Sequence, residues 1–313
     1  GRGETYEQAS RERMKDLFIA VVALSYAIWL LYAGGLKYLL LSALLYAPGV
    51  ILFAQQDSYL VVNRGNAIQS NGTADRPIIW TSRDNIIGVA NDNSQQQWGG
   101  VVLLGRAPIS DCSTGVFNTA ANPNANATCE GRLEGAAVAT PFGGANAADS
   151  SGSFRFNQIR FSGFELAPNN ELQSLTTGGV GSGTVIENLL SFNSSDDGVE
   201  FFGGTVDAKY VVLTGNRDDS LDWADGWTGR MQHVLVRHNP NDTKANRGIE
   251  ADNQADNLTA TPVSNPTIAN MTIIGNNFDG DDDSEGVLLR AGTNAKLHNF
   301  VITGPAGMGE CLE

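Results

Sequence analysis

Histidine and cysteine are scarce in this sequence, three of each in 313 residues, and cations are outnumbered, 20 Lys and Arg against 34 Asp and Glu. The histidines, His233, His238 and His298, share no metal-ligand spacing, so a histidine-built zinc centre has no basis. A net charge of −14 repels phosphates, and no basic stripe with interleaved aromatics offsets it, which speaks against nucleic-acid binding. The charge is also uneven. Residues 1–56 hold Arg2, Arg11, Arg13, Lys15 and Lys37 against Glu4, Glu7, Glu12 and Asp16, a balance of +1 that leaves −15 for the remainder. A starting Met is missing as well; the chain begins at Gly1, which reads as a fragment.

With so few cysteines, each position carries information. Cys112 and Cys129 flank an insertion of about residues 106–150, rich in Gly, Asn, Ala and Thr and poor in apolar side chains. A disulfide pinning that loop, and with it an oxidising compartment, is the expectation; two unlinked thiols are the alternative. Cys311 is the third residue from the end, and is either free or paired beyond it.

Glycine, by contrast, is abundant at 36 residues, as a fold with many tight turns requires. A repeat runs through the second half. Apolar positions Phe192, Leu213, Val236, Ile274 and Ile302 recur at steps of 21, 23, 38 and 28, and Val199, Leu221, Ile249 and Val287 at 22, 28 and 38. Two short apolar strands per period, separated by Gly, Asn and Asp, cannot bury a face alone and must stack on the next coil. The expected fold is mainly β, a right-handed parallel β-helix over 57–313. Strands are expected at Tyr59–Val62, Pro77–Thr81, Trp98–Gly105 and Phe154–Phe164 as well.

Ahead of it stand two uncharged 17-residue runs, Leu17–Ala33 and Tyr38–Ala54, broken at Gly34-Gly35-Leu36-Lys37. That length is at the low edge for crossing a bilayer, and a signal peptide would show one shorter run. The expectation is an α-helical transmembrane hairpin within residues 1–56, with the membrane as partner through 17–54. The segment DLFIAVVALSYAIWLLYAGGLKYLLLSALLYAPGVILFA resembles the last two transmembrane helices of basic amino acid antiporters of the arginine/ornithine type, with Gly35–Gly49 carrying most of the likeness. That family's substrate site lies in helices not present here. The pattern LVVNRGNAIQSNGTADRPIIWTSRD, WGGVVLLG and SSDDGVEFFGGTVDAKYVVLTG resembles exported bacterial proteins with a pectin-lyase-like β-helix, which implies the fold and leaves the function open. Arg11, Arg13 and Lys15 put the N-terminus in the cytoplasm, and two spans return the chain there, whereas an acidic β-helix belongs outside. This conflict suggests two joined genes, by fusion or by assembly, testable by reading the locus.

Chemistry concentrates in the acids. Glu200, Asp222 and Glu250 each follow an inward apolar residue, so they point outward in register, ~4.8 Å apart per coil. Asp197 and Asp219 precede their strands, and Asp225 and Asp252 follow. Like charges at that spacing repel by roughly 1 kcal/mol per pair even in water. A hard cation such as Ca²⁺ would offset this. Glu200, Asp222, Glu250, Asp197, Asp219 and Asp252 are therefore the candidate ligands, with Asp279–Asp283 as a further acidic loop. The plainer alternative is turn residues bonding their own backbone, with Arg247 neutralising its neighbours. Trp223 and Trp227, with Asp225, would suit sugar binding if the rings face out; for Trp223, next to the outward Asp222, inward packing is favoured.

A non-catalytic extracytoplasmic scaffold or glycan-binding protein, Ca²⁺-stabilised, is the leading functional expectation. A Ca²⁺-dependent polysaccharide lyase or glycoside hydrolase is the alternative. It would use Asp197, Asp219 and Asp222 as acid and base, with Arg217, Arg247 or Arg290 as the basic residue. The Gly-His-Gly and Arg-Ile-Lys motifs of polygalacturonases are missing. A third reading is an antiporter remnant in a chimeric reading frame.

Overall fold

The computed structural model describes residues 50–113, 129–133, 140–167, 170–241, 247–276, 285–304 and 310–313. Their strands are, in chain order, β1 (Val50–Ala54), β2 (Leu60–Val62), β3 (Ile68–Asn71), β4 (Ile78–Ser82), β5 (Val101–Leu104), β6 (Gly131–Arg132) and β7 (Pro141–Phe142). Next come β8 (Gly152–Arg160), β9 (Glu165–Ala167), β10 (Asn170–Glu171), β11 (Leu175–Gly178), β12 (Val185–Phe192), β13 (Val199–Phe202) and β14 (Asp207–Thr214). The series closes with β15 (Leu221–Ala224), β16 (Arg230–Arg237), β17 (Ile249–Ala251), β18 (Thr267–Ile274), β19 (Val287–Leu289) and β20 (Lys296–Thr303). One helical turn, α1 (Arg83–Ile86), follows β4, and Ser82 caps it by accepting from the Asn85 N–H at 3.0 Å.

Two long sheets run along a solenoid. The first has the order β1-β4-β8-β12-β14-β16-β18-β20, and β3 also pairs β8; the second has the order β2-β5-β11-β13-β15-β17-β19. Pairings from β4 to β20 and from β2 to β19 are parallel, the arrangement of a parallel β-helix. The step that coils a chain this way is visible in the first sheet. There β12 buries Ile186, Leu189 and Ser191, and β14 buries Ala208, Val211 and Leu213. The first inward pair is three residues apart, where a flat strand gives two. The extra residue is Asn188, Tyr210, His233 or Asn270 on successive strands, each in the left-handed region with φ of 57°, 59°, 60° and 56°. It bends every strand at the same level and leaves two neighbouring side chains outside.

That bend shifts part of the repeat. Val199, Leu221, Ile249 and Val287 are register partners as expected. In the first sheet, however, Leu213, Val236 and Ile302 align with Ser191 and Ile273, not with Phe192 and Ile274.

The expected membrane hairpin is overturned. Its second run, Tyr38–Ala54, ends in strand β1, which joins β4 in the first sheet. Without Val50–Ala54 the apolar remainder, Tyr38–Gly49, falls below the roughly 17 residues a spanning helix needs. Among the described residues no helix is long and apolar enough to cross a membrane. Residues 17–49, and Asp279–Asp283, lie outside the described residues.

Inside the coils Phe201 stacks on Trp227, ring centroids 4.1 Å apart and planes 6° from parallel, with Trp223 5.7 Å from Trp227. A second apolar cluster sits outside the solenoid. Val102 and Leu104 on β5, with Leu172, pack under Ile109, Cys129 and Phe142 of the insertion. Cys112 and Cys129 are joined by a disulfide, as expected from the apolar-poor insertion they flank, and β6 and β7 form an antiparallel pair beside it.

Candidate functional site

The outer face of the second sheet carries one row of side chains across consecutive strands: Val61, Val102, Thr176, Glu200, Asp222, Glu250 and Leu288. Its first part is apolar and lies under the insertion. Acids begin where that cover ends, and Glu200, Asp222 and Glu250 are direct register partners, as strand alternation requires. They are not a solvated face. Glu200 is only 7% exposed, and Asp197 and Asp219 in the preceding turns are 5% and 3% exposed.

The turn acids do two jobs. Asp197 accepts the Asp219 N–H at 2.9 Å, and Asp219 accepts the Arg247 N–H at 2.9 Å, so each ties one coil to the next. The backbone-capping alternative is thus realised, but it uses one oxygen of each carboxylate. Carboxylate oxygens of Asp197, Glu200 and Asp222 lie within 4.8 Å of one another, as do those of Asp219, Asp222 and Glu250, and of Asp196, Asp197 and Asp218. Two oxygens on one Ca²⁺, each at about 2.4 Å, lie no further apart than this. These clusters could hold a metal ion.

The column is electrostatically divided. At its C-terminal end Arg247 meets Glu285 at 2.7 Å and Glu250 at 3.1 Å, while Arg290 meets Glu250 at 3.1 Å and Asp252 at 2.8 Å. Glu250 and Asp252, expected as metal ligands, are held in ion pairs. At the N-terminal end no donor among the described residues reaches the Glu200 carboxylate. Burial, then Asp222, Asp196, Asp225 and Glu250, push Glu200 well above its ordinary pKa. Burial, then Glu250 and Asp252, raise Asp222. Burial raises Asp197 and Asp219 most, reinforced by Asp196 and Asp218 respectively. Asp196 is pushed up to about 7 by burial, Asp218 and Glu171.

A groove of about 370 Å³ opens over this unmatched end, with Asp111, Arg132, Glu171, Asp196, Asp197, Glu200 and Asp225 in its walls. Asp111 and Ser113 flank Cys112, and Gly131–Leu133 follow Cys129 closely, so the disulfide pins one wall. Asp225 fixes that wall by accepting the Ser110 N–H on its carbonyl at 2.7 Å. Sequence reasoning missed Arg132 and Glu171 as groove residues, because strand alternation says nothing about what an insertion folds over. Trp223 and Trp227 are not a sugar platform. Both are fully buried, their indole N–H groups donating to Thr293 Oγ1 and the Val206 carbonyl. Arg217 lies in the turn before Asp218 and is not among the groove-lining residues.

A family model described as a pectate-lyase-like β-helix domain matches residues 42–310. The chain belongs to this family. The match begins inside the second apolar run, in keeping with β1 joining the first sheet. A segment of 54 residues is 76% identical to an arginine/ornithine antiporter from Pseudomonas aeruginosa, which bears out the antiporter likeness. It covers 17% of this chain, and the chain spans about a tenth of that relative's length, 11%.

Proposed function

We propose that this β-helix works outside the cytoplasm as a non-catalytic, Ca²⁺-stabilised binding scaffold, with a glycan as the ligand of its acidic groove. One observation carries the reading: Glu200, only 7% exposed, has its carboxylate within 4.8 Å of those of Asp197 and Asp222, and no Lys or Arg among the described residues forms an ion pair with it. A buried carboxylate without a partner costs several kcal/mol, and a hard cation with oxygen ligands removes that cost. Calcium suits an all-carboxylate set better than softer metals do. The disulfide supports an oxidising location. Transport is not proposed, given the small share of the antiporter that the chain spans.

Calorimetric titration of the full chain with Ca²⁺ after EDTA treatment tests this. Binding is expected at one strong site and at least tenfold weaker in Glu200→Gln; no heat, or an unchanged variant, would sink it. The lyase or hydrolase reading is favoured by a single point, Asp196 near pH 7 in a groove beside other carboxylates. Reducing-sugar and unsaturated-product assays on pectin, alginate and related polymers decide between the two readings.

A further inference from the structure

We propose that the bend in the first sheet forms a second ligand surface, a groove that takes a neutral linear glycan lying along the solenoid axis. The groove is an open, shallow depression of about 600 Å³ across β8, β12, β14, β16 and β18, with Ala74 and Pro77 at one end. It shares no residue with the acidic groove, which is lined by the second sheet, its turns, the disulfide-bonded insertion and β10.

Two ladders line it. One is the row of bent residues Asn188, Tyr210, His233 and Asn270, which presents amides, a hydroxyl and an imidazole. The other, two residues further along each strand, is Leu190, Val212 and Leu235. Tyr210 is 48% exposed and Leu235 38%. None of the lining side chains is Asp, Glu, Lys or Arg, in a chain whose net charge is −14. The charges bordering it, Arg155, Glu187 and Lys209, are paired with one another at 3.1–3.2 Å, and Lys209 Nζ lies 5.6 Å from the Tyr210 ring centroid, so the lining itself offers a ligand hydroxyl, amide and apolar contacts and no unpaired charge.

The ring residues add a second argument. Left-handed backbone suits Asn and costs a bulky residue roughly 1–2 kcal/mol. Asn occupies this level on three other coils, at 188, 270 and 299, whereas β8, β14 and β16 carry the rings of Phe156, Tyr210 and His233. The rings of Tyr210 and His233 stack 5.1 Å apart and 9° from parallel, covering each other's faces and turning their polar edges outward. Strain kept at exposed positions marks a surface with a use.

The occupant follows from geometry. A peptide along the axis would cross the strands, so it cannot add to a sheet edge by backbone pairing. A glycan chain has hydroxyl edges for the Asn–Tyr–His ladder and an apolar ring face for the Leu–Val ladder. One ring per coil matches the strand spacing of ~4.8 Å.

The test uses cellohexaose, mannohexaose and xylohexaose as probes and oligogalacturonate as the charged control, titrated by NMR into the full chain. At least one neutral probe should bind, and oligogalacturonate should not perturb this face. Leu235→Asp and Tyr210→Asn should each weaken binding at least tenfold, and Tyr210→Asn should melt no lower than the parent because Asn relieves the backbone. Failure of all three neutral probes, or binding that ignores both variants, overturns the proposal. Self-association of the parent that Leu235→Asp abolishes would also overturn it, making a second copy the occupant.

Discussion

Arg247 donates through Nε to Glu285 at 2.7 Å, and that glutamate is only 2% exposed. The same guanidinium reaches Glu250 at 3.1 Å, so one cation serves two acids on adjacent coils. A desolvated pair contributes little compared with an apolar pair of the same shape, but breaking it strands a buried charge. Arg247→Met should therefore cost about 3–5 kcal/mol. Arg247→Met with Glu285→Leu should recover most of that loss, as followed by thermal melting. A single variant as stable as the parent would show that Glu285 finds water or another donor.

The disulfide is expected to stabilise the groove wall rather than the coils. It closes a loop with a sequence separation of 17, for which chain-entropy arguments give about 3 kcal/mol. Without reductant, mass spectrometry should recover the Cys112 and Cys129 peptides as a linked pair. In Cys112→Ser/Cys129→Ser, hydrogen exchange should rise around Gly131–Leu133 and leave β12, β14 and β16 unchanged. Equal exchange in both forms would mean that Ile109 and Phe142 hold the insertion down by packing alone.

Much of this architecture was legible in the residues, and the failures have physical causes. Strand alternation puts Glu200, Asp222 and Glu250 in one row and sends Trp223 inward, and both hold. It could not show that Glu200 is buried, because the walls around it include Asp111, Arg132 and Glu171, far away in sequence. The one-residue error at Phe192 and Ile274 arises from the left-handed residue, which breaks the two-residue period inside each strand. At Val50–Ala54, composition alone could not separate an apolar strand from the end of an apolar helix. The ion pair of Asp252, and one of the two made by Glu250, depend on Arg290, 38 residues beyond Asp252, which only the coil register brings near.

The buried indoles allow a direct check on the interior. Trp227 lies between Phe201 and Trp223 with no exposed surface. Truncation to Ala should cost about 3–5 kcal/mol by loss of buried area and cavity formation. Trp227→Phe should cost less, since it keeps a ring against Phe201 while losing the hydrogen bond to Val206. If Trp227→Ala melts with the parent and alters only ligand binding, the indole belongs to a binding surface after all.

The carboxylate column makes the sharpest statement about pH and cations. Asp196 is held up to about 7, and Asp197, Glu200, Asp219 and Asp222 are raised well above ordinary values, chiefly by burial. An unfolded carboxyl titrates near 4. Between about pH 4 and pH 7 the native state therefore holds more protons than the unfolded chain. Stability from these groups is then full below about pH 4 and is lost as pH rises through the native values. In EDTA the melting temperature should fall from pH 5 to pH 8. Calcium competes with those protons, so its benefit should be small at pH 5 and large at pH 8. At a hundredfold excess over Kd it amounts to about 2.7 kcal/mol, a shift of several degrees for a domain of this size. Glu200→Gln with Asp222→Asn removes the repulsion and the ligands together. That variant should be at least as stable as the parent in EDTA at pH 8, should respond little to Ca²⁺, and should lose most of the pH slope. A parent whose melting temperature is indifferent to Ca²⁺ at pH 8 would mean that the acids share protons among themselves and that Arg247 and Arg290 are the column's only cations.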